Sequence, residues 1–318
     1  MAETTATQKF RKATIVPIKH VFWQLNLTQP IQVAPDLSFE DAKGWLKPEL
    51  FDVWRDMVSK RERDDLARIR FALVHSFEST GHMGREEAAS DDLTFRAFLC
   101  LQLIKPTKSN YQRIQVKFLN EKDLDVVSFG HEGVWPNVPD AESINDVDLD
   151  DIIRLRILWP SFQDVALNGP ENIRRAIRHF NVGYSELRDP IVQIVTWTMG
   201  IESLFANEDK QLSREELTTR IDQAVGLDTD IYESSPMREY IGTQPFKVKD
   251  LVDDLQLLRN RFVHGQWIPP EWKTRVGRTG LSSEAVFYAD VLREAASFIL
   301  RRGIINYLQK QSQNDTRK

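Results

Sequence analysis

The pattern of apolar and polar positions changes character near residue 150. Ahead of it, Thr14-Ile15-Val16 before Pro17, then Val21-Phe22-Trp23-Gln24-Leu25-Asn26-Leu27 before Pro30, carry β-branched and aromatic residues in partial alternation, which predicts strands. Leu93 to Leu103, closed by Pro106, reads as another. So do Tyr111 to Leu119, where Ile114, Val116 and Phe118 alternate with polar neighbours, and Asp125-Val126-Val127-Ser128-Phe129 before Gly130. Residues 49–79 read as helical, on the spacing of Phe51, Trp54, Met57 and Val58 and again of Leu66, Ile69, Leu73 and Phe77, with a break near residues 61–65. Residues 131–148 have turn residues, an acidic run and no periodicity, so they read as a long loop or linker.

Beyond residue 150 the spacing is helical. Ile152, Ile153, Leu155, Ile157 and Leu158 begin it, and Trp159-Pro160 is expected to interrupt it. Asn168-Gly169-Pro170-Glu171 opens a second helix through Ile173, Ala176, Ile177, Phe180 and Tyr184. Ile191 to Ala206 is apolar enough to be central, and Ser213-Arg214-Glu215-Glu216 is a capping box ahead of Leu217, Ile221 and Val225. Phe246 to His264 puts Val248, Leu251, Val252, Leu255, Leu258 and Phe262 on one stripe and stops at Gly265; a last helix runs from Ser282 to Gln309. The expectation is an α+β chain overall. Its N-terminal domain, residues 1–148, is of mixed α/β type with a sensing or regulatory role; its C-terminal domain, residues 149–318, is an all-α antiparallel helical bundle of about five helices.

Composition narrows the classes. The 318 residues are 41% hydrophobic and 28% charged, which provides a core and excludes a disordered or collagen-like chain. One cysteine, Cys100, cannot form an internal disulfide or a cysteine zinc site. The first residues show no signal-type apolar core, and Ile194 to Ile201 is far short of a membrane span, so a soluble cytoplasmic protein with no membrane partner is expected. A net charge of −5 argues against coating nucleic acid by bulk charge. The basic strip Arg259, Arg261, Lys273, Arg275 and Arg278, against Glu271 alone, can hold a few phosphates or be a solvated face.

Motifs for metal, nucleotide and acyl chemistry do not occur. The six histidines form no zinc-hydrolase pair, Asp146, Asp148, Asp150 and Asp151 lack the glycine and glutamate of a calcium loop, and no dinucleotide, phosphate-loop or serine-elbow sequence is found. No metal and no cofactor is expected. What remains is Arg259-Asn260-Arg261-Phe262-Val263-His264-Gly265. Arginine and histidine are both favoured at a helix C-terminus, so the residues alone leave two readings open: a phosphate-handling pair or two ordinary helix-end residues. Five positions at 3.6 residues per turn set the two side chains about 140° apart, so they converge only through a distorted last turn or a second subunit. Glu202, a carboxylate in an apolar helix, is expected to pair with Arg259 or Arg261. Trp267 and Trp272 can stack bases or pack the loop.

Arg259-Asn260-Arg261-Phe262-Val263-His264 resembles the Arg-x(4–6)-His signature of HEPN domains, in which Asn, Asp or His often follows the arginine. Thr196-Trp197-Thr198-Met199-Gly200-Ile201-Glu202-Ser203-Leu204-Phe205 resembles the Ala-Leu-Glu-Ala-Leu-Phe helix of Apea-like HEPN domains, and residues 178–184 resemble the helix leading into it. The resemblance covers roughly residues 150–300 and implies a bundle that dimerises with its motifs facing each other. It further implies a metal-independent endoribonuclease acting as a toxin-like effector of anti-phage defence, with an antitoxin or phage-derived trigger as a further partner of the N-terminal domain. The expected catalytic residues are Arg259, Asn260 and His264, with Arg261, Lys273 and Arg275 binding RNA and Glu202 in support. His264 would transfer protons, Arg259 would grip phosphate oxygens, and the products would be a 2′,3′-cyclic phosphate and a 5′-hydroxyl. The alternative is a non-catalytic HEPN scaffold for dimerisation or nucleotide binding; a third class is an interaction adaptor.

Overall fold

The computed structural model describes residues 10–19, 21, 25–46, 59–80, 84–107, 111–119, 123–131, 146–185, 187, 189–206, 212–233, 238–241, 244–266, 275–278 and 285–315. They fall into two compact units. One comprises the described residues up to 102 with 111–131 and 146–159; the other comprises 103–107 and those from 160 onward.

The first unit is built on an antiparallel six-stranded sheet. Strands β1 (Phe10–Ile18), β2 (Ile31–Ala34), β3 (Leu37–Asp41), β4 (Phe71–Ser79), β5 (Gln112–Phe118) and β6 (Leu124–His131) lie in the order β2-β3-β4-β1-β5-β6. β1 pairs with β4 along its whole length, from Phe10 opposite Ser79 to Ile18 opposite Phe71. Its ladder to β5 stops at Ile15, so Pro17, which has no N–H to give, lies beyond it. The short edge strand β2 carries a bulge between Gln32 and Ala34, and β5 and β6 shift register at Gln115/Val116. One face packs Ala13, Ile15, Ala72, Val74, Ile114 and Val116 against Ala42, Leu46 and Leu66, the last from helix α1 (Lys60–Ala67).

Helix α2 (Arg85–Ile104) covers the other face through polar contacts. Lys12 pairs with Glu87, Arg113 with Asp91, and Ser90 Oγ donates to Thr14 Oγ1 at 2.7 Å and lies 2.7 Å from His75 Nδ1. Burial holds the His75 imidazole below its ordinary pKa, against the opposing field of Asp36. α2 also corrects the expected strand Leu93–Leu103. Ala97, Phe98, Leu99, Cys100 and Leu101 are all buried, so the run is apolar on every side and shows no helical period. The reverse correction holds for β4, expected as helix. Phe71 to Val74 are buried on both faces of the sheet, which hides the alternation. The expected strand at 21–27 is not formed at its described residues: Val21 makes only an isolated bridge to Val147 and 25–27 are irregular. Residues 22–24, the helical positions 51–58 and most of the 131–148 linker fall outside the described residues.

The second unit is mainly helical. Helix α3 (Leu149–Asn168) runs through Pro160 without the expected interruption, and the division between the units falls at that proline. Helices α4 (Glu171–Ser185) and α5 (Pro190–Phe205) follow. Asp189 caps α5 by accepting from the N–H groups of Ile191 and Val192, with Pro190 in the first turn. Helix α6 (Arg214–Val225) starts with the full Ser213–Glu216 capping box, as its sequence predicts. Helices α7 (Arg238–Ile241), α8 (Val248–Val263) and α9 (Tyr288–Asp315) complete the set. α9 begins later than expected, because Ala285–Phe287 is strand β8, paired with β7 (Arg275–Arg278). The second unit is therefore not all-α.

Helix α5 is central because two glycines let it in. A Cβ on Gly183 of α4 would lie 2.3 Å from Trp197 Nε1, and one on Gly200 would lie 2.8 Å from Leu300 Cδ2 of α9 and 3.0 Å from His179 Cβ of α4. Trp197 is fully buried there and donates to the Phe180 carbonyl at 3.2 Å.

Candidate functional site

Helix α8 owes its orientation to the stripe Val248, Leu251, Val252, Leu255 and Leu258, all buried. With that stripe inward, Gln256, Arg259 and Asn260 are set on a flank that borders an open cavity of about 690 Å³. Helix α5 contributes Met199, Glu202, Ser203 and Ala206, one face at intervals of three and four. Glu171, Asn172 and Arg175 come from the first turns of α4. Leu212, Ser213, Arg214 and Leu217 come from the start of α6.

Arg259 is the hub. Its Nη2 lies 3.0 Å from Glu202 Oε2, and its Nη1 donates to Asn260 Oδ1 at 2.8 Å. Its Nε is buried with no hydrogen-bond partner. The pairing expected for Glu202 is therefore formed, with Arg259 as the partner. Burial still raises the Glu202 carboxyl above its ordinary pKa, and the Arg259 guanidinium only partly offsets that. Around the rim, Glu171 is held by Arg174 and Arg175, which pull its carboxyl below the usual range, and Arg214 is paired with Asp253.

His264 is elsewhere. It is exposed, it follows the last turn of α8 with φ −90°, and its N–H donates to the Asn260 carbonyl at 3.1 Å. Gly265 then takes φ +64°, the left-handed stop its sequence position predicts. His264 does not line the cavity that Arg259 and Asn260 border, in keeping with the angular separation of positions 259 and 264. Arg261 is half-buried and also outside the cavity lining; Arg275 begins β7, and Lys273, Trp267 and Trp272 lie outside the described residues. Next to the motif, Phe262 and Val263 are 41% and 53% exposed.

Residue reasoning overlooked Gln256, Arg175, Arg214 and the apolar lining Met199, Leu212 and Leu217. Gln256 had a signal, since it precedes Arg259 by three positions on one helix. The rest come from distant segments with no local signature. Among the described residues no group of three or more His, Cys, Asp or Glu is placed to hold a metal ion, and no helix is long and apolar enough to cross a membrane. Comparison with family models, with curated proteins and with solved structures finds no match for this chain.

Proposed function

We propose that the chain is a metal-independent endoribonuclease of HEPN type, working as a homodimer. The observation that carries this reading is the cluster Arg259–Asn260–Glu202 on the wall of an open cavity, with an exposed histidine at the end of the same helix. A guanidinium beside open space can take two phosphate oxygens, and it stays charged through the working pH range. RNA supplies its own nucleophile. Its 2′-hydroxyl loses a proton and attacks phosphorus, the bond to the 5′-oxygen breaks, and that oxygen takes up a proton, leaving a 2′,3′-cyclic phosphate and a 5′-hydroxyl. Arg259 neutralises the charge that builds on the phosphorane. His264 moves the protons, and because it does not line its own chain's cavity, it serves the site of a second copy. The exposed Phe262 and Val263 beside it offer an apolar surface for that contact. A toxin-like role in anti-phage defence, in the cytoplasm and with an antitoxin or phage-derived trigger, rests on the sequence resemblance.

The second reading, a non-catalytic HEPN scaffold, is favoured by one observation: both Nη atoms of Arg259 already have partners within the chain. The test is incubation of the full chain with total RNA in chelator, with end-group analysis of the products. Cyclic phosphate ends from the parent, and none from His264→Ala, support the ribonuclease; intact RNA with the parent supports the scaffold.

A further inference from the structure

The ion pairs around the cavity leave a one-sided remainder. Glu171, Glu202 and Arg214 are each held by a partner within the chain. Among the described lining residues, two side-chain donors are buried without a hydrogen-bond partner, Gln256 Nε2 and Arg259 Nε, three residues apart on one flank of α8. Buried donors of this kind call for an acceptor. The same cavity is also lined by the apolar side chains of Met199, Ala206, Leu212 and Leu217. A small anion would leave that apolar surface wet, and a purely apolar ligand would leave the donors unpaired. A flat heterocycle with hydrogen-bonding atoms on its edge covers the apolar lining and gives Gln256 an acceptor once its amide turns into the cavity.

We propose that the cavity is a base subsite: it holds one nucleobase of an RNA chain whose adjoining phosphate meets Arg259. The Gln256 amide turns onto the edge of the base, and Met199 and Leu212 lie against its face. This rests on the ribonuclease reading above and gives it a sequence preference. A glutamine amide presents a donor beside an acceptor, so it discriminates among bases by a two-point match. The cavity is open to solvent, and Met199 in its lining is 37% accessible.

The test uses the full chain and uncleavable 2′-O-methyl tetranucleotides of A, C, G or U, with the four free 5′-mononucleotides as a second arm. Binding is measured for the parent, Gln256→Ala and Met199→Trp. Both substitutions fall on incompletely buried helical positions, and thermal melting checks their folding. One tetranucleotide should bind the parent about tenfold tighter than the others. Gln256→Ala should level that preference, and Met199→Trp, by filling the cavity, should weaken all four. Equal binding of the four sequences, or a preference unchanged in both variants, overturns the subsite. Mononucleotides binding as tightly as tetranucleotides overturn its place on an RNA chain. Base-selective binding that depends on Gln256, without any RNA cleavage, would leave the subsite standing and remove the ribonuclease. Cleavage blind to base would do the opposite.

Discussion

His264 and Arg259 are expected to fail in different ways when replaced. His264 is exposed and its side chain packs into no core, so His264→Ala should leave the melting temperature unchanged while removing proton transfer, a factor of roughly 10²–10⁴ in rate. Arg259→Lys keeps the charge and loses the planar fork, so RNA binding should persist while most cleavage is lost. Parallel melting, binding and single-turnover assays on the two variants check this, and full activity in His264→Ala would return the motif to a helix-end role. Glu202 makes a separate prediction from the direction of its shift. Its carboxyl titrates above its ordinary value of 4.5, so the folded chain holds this proton more tightly than the unfolded chain. Stability contributed here is present at low pH and is lost as pH rises from about 4.5 through the raised pKa. The melting temperature of the parent relative to Glu202→Gln should therefore fall as pH is raised through that window; a difference that grows with pH would contradict the burial argument.

At the scale of elements, the approach of α4 to α5 depends on Gly183. A methyl group there meets the rigid indole of Trp197 at 2.3 Å, and the ring cannot swing away without losing its hydrogen bond to Phe180. Gly183→Ala should cost about 1–3 kcal/mol, the usual range for overpacking, read by urea denaturation. An unchanged midpoint would show that the helices have room to part. Helices α5, α6 and α8 are legible in sequence because each has punctuation: Asp189-Pro190, the Ser213–Glu216 box, Gly265. The short α7 is not, because it lies in a stretch whose glycines and prolines read as a loop. The end of α2 and the start of β4 are not either, because a stretch buried all round, such as Ala97–Leu101 or Phe71–Val74, carries no period of its own. Pro160 misled for a different reason, since tertiary context holds α3 together where local preference would break it. The candidate site was half legible. Arg259, Asn260 and Glu202 come together as their types suggested, whereas the cavity beside them is assembled from four separate segments, and no spacing along the chain encodes it.

For the whole molecule, the proposed division of the site between two copies sets the assembly. The chain should sediment as a dimer at micromolar concentration, and Val263→Asp, which puts a charge on an exposed apolar position, should shift it toward monomer and lower cleavage in step. A monomer that cuts RNA at full rate would show that His264 serves its own chain. Cys100 gives a means of seeing that contact. It is the one cysteine of the chain, it is 1% exposed within α2, and burial pushes its thiol far above the usual range, so little thiolate forms and no reagent reaches it. The protein should therefore stay unlabelled by maleimides as it stands. Any cysteine introduced on its surface becomes the sole addressable label, and spin or fluorophore pairs placed near the end of α8 can report the separation of two copies without a background to subtract.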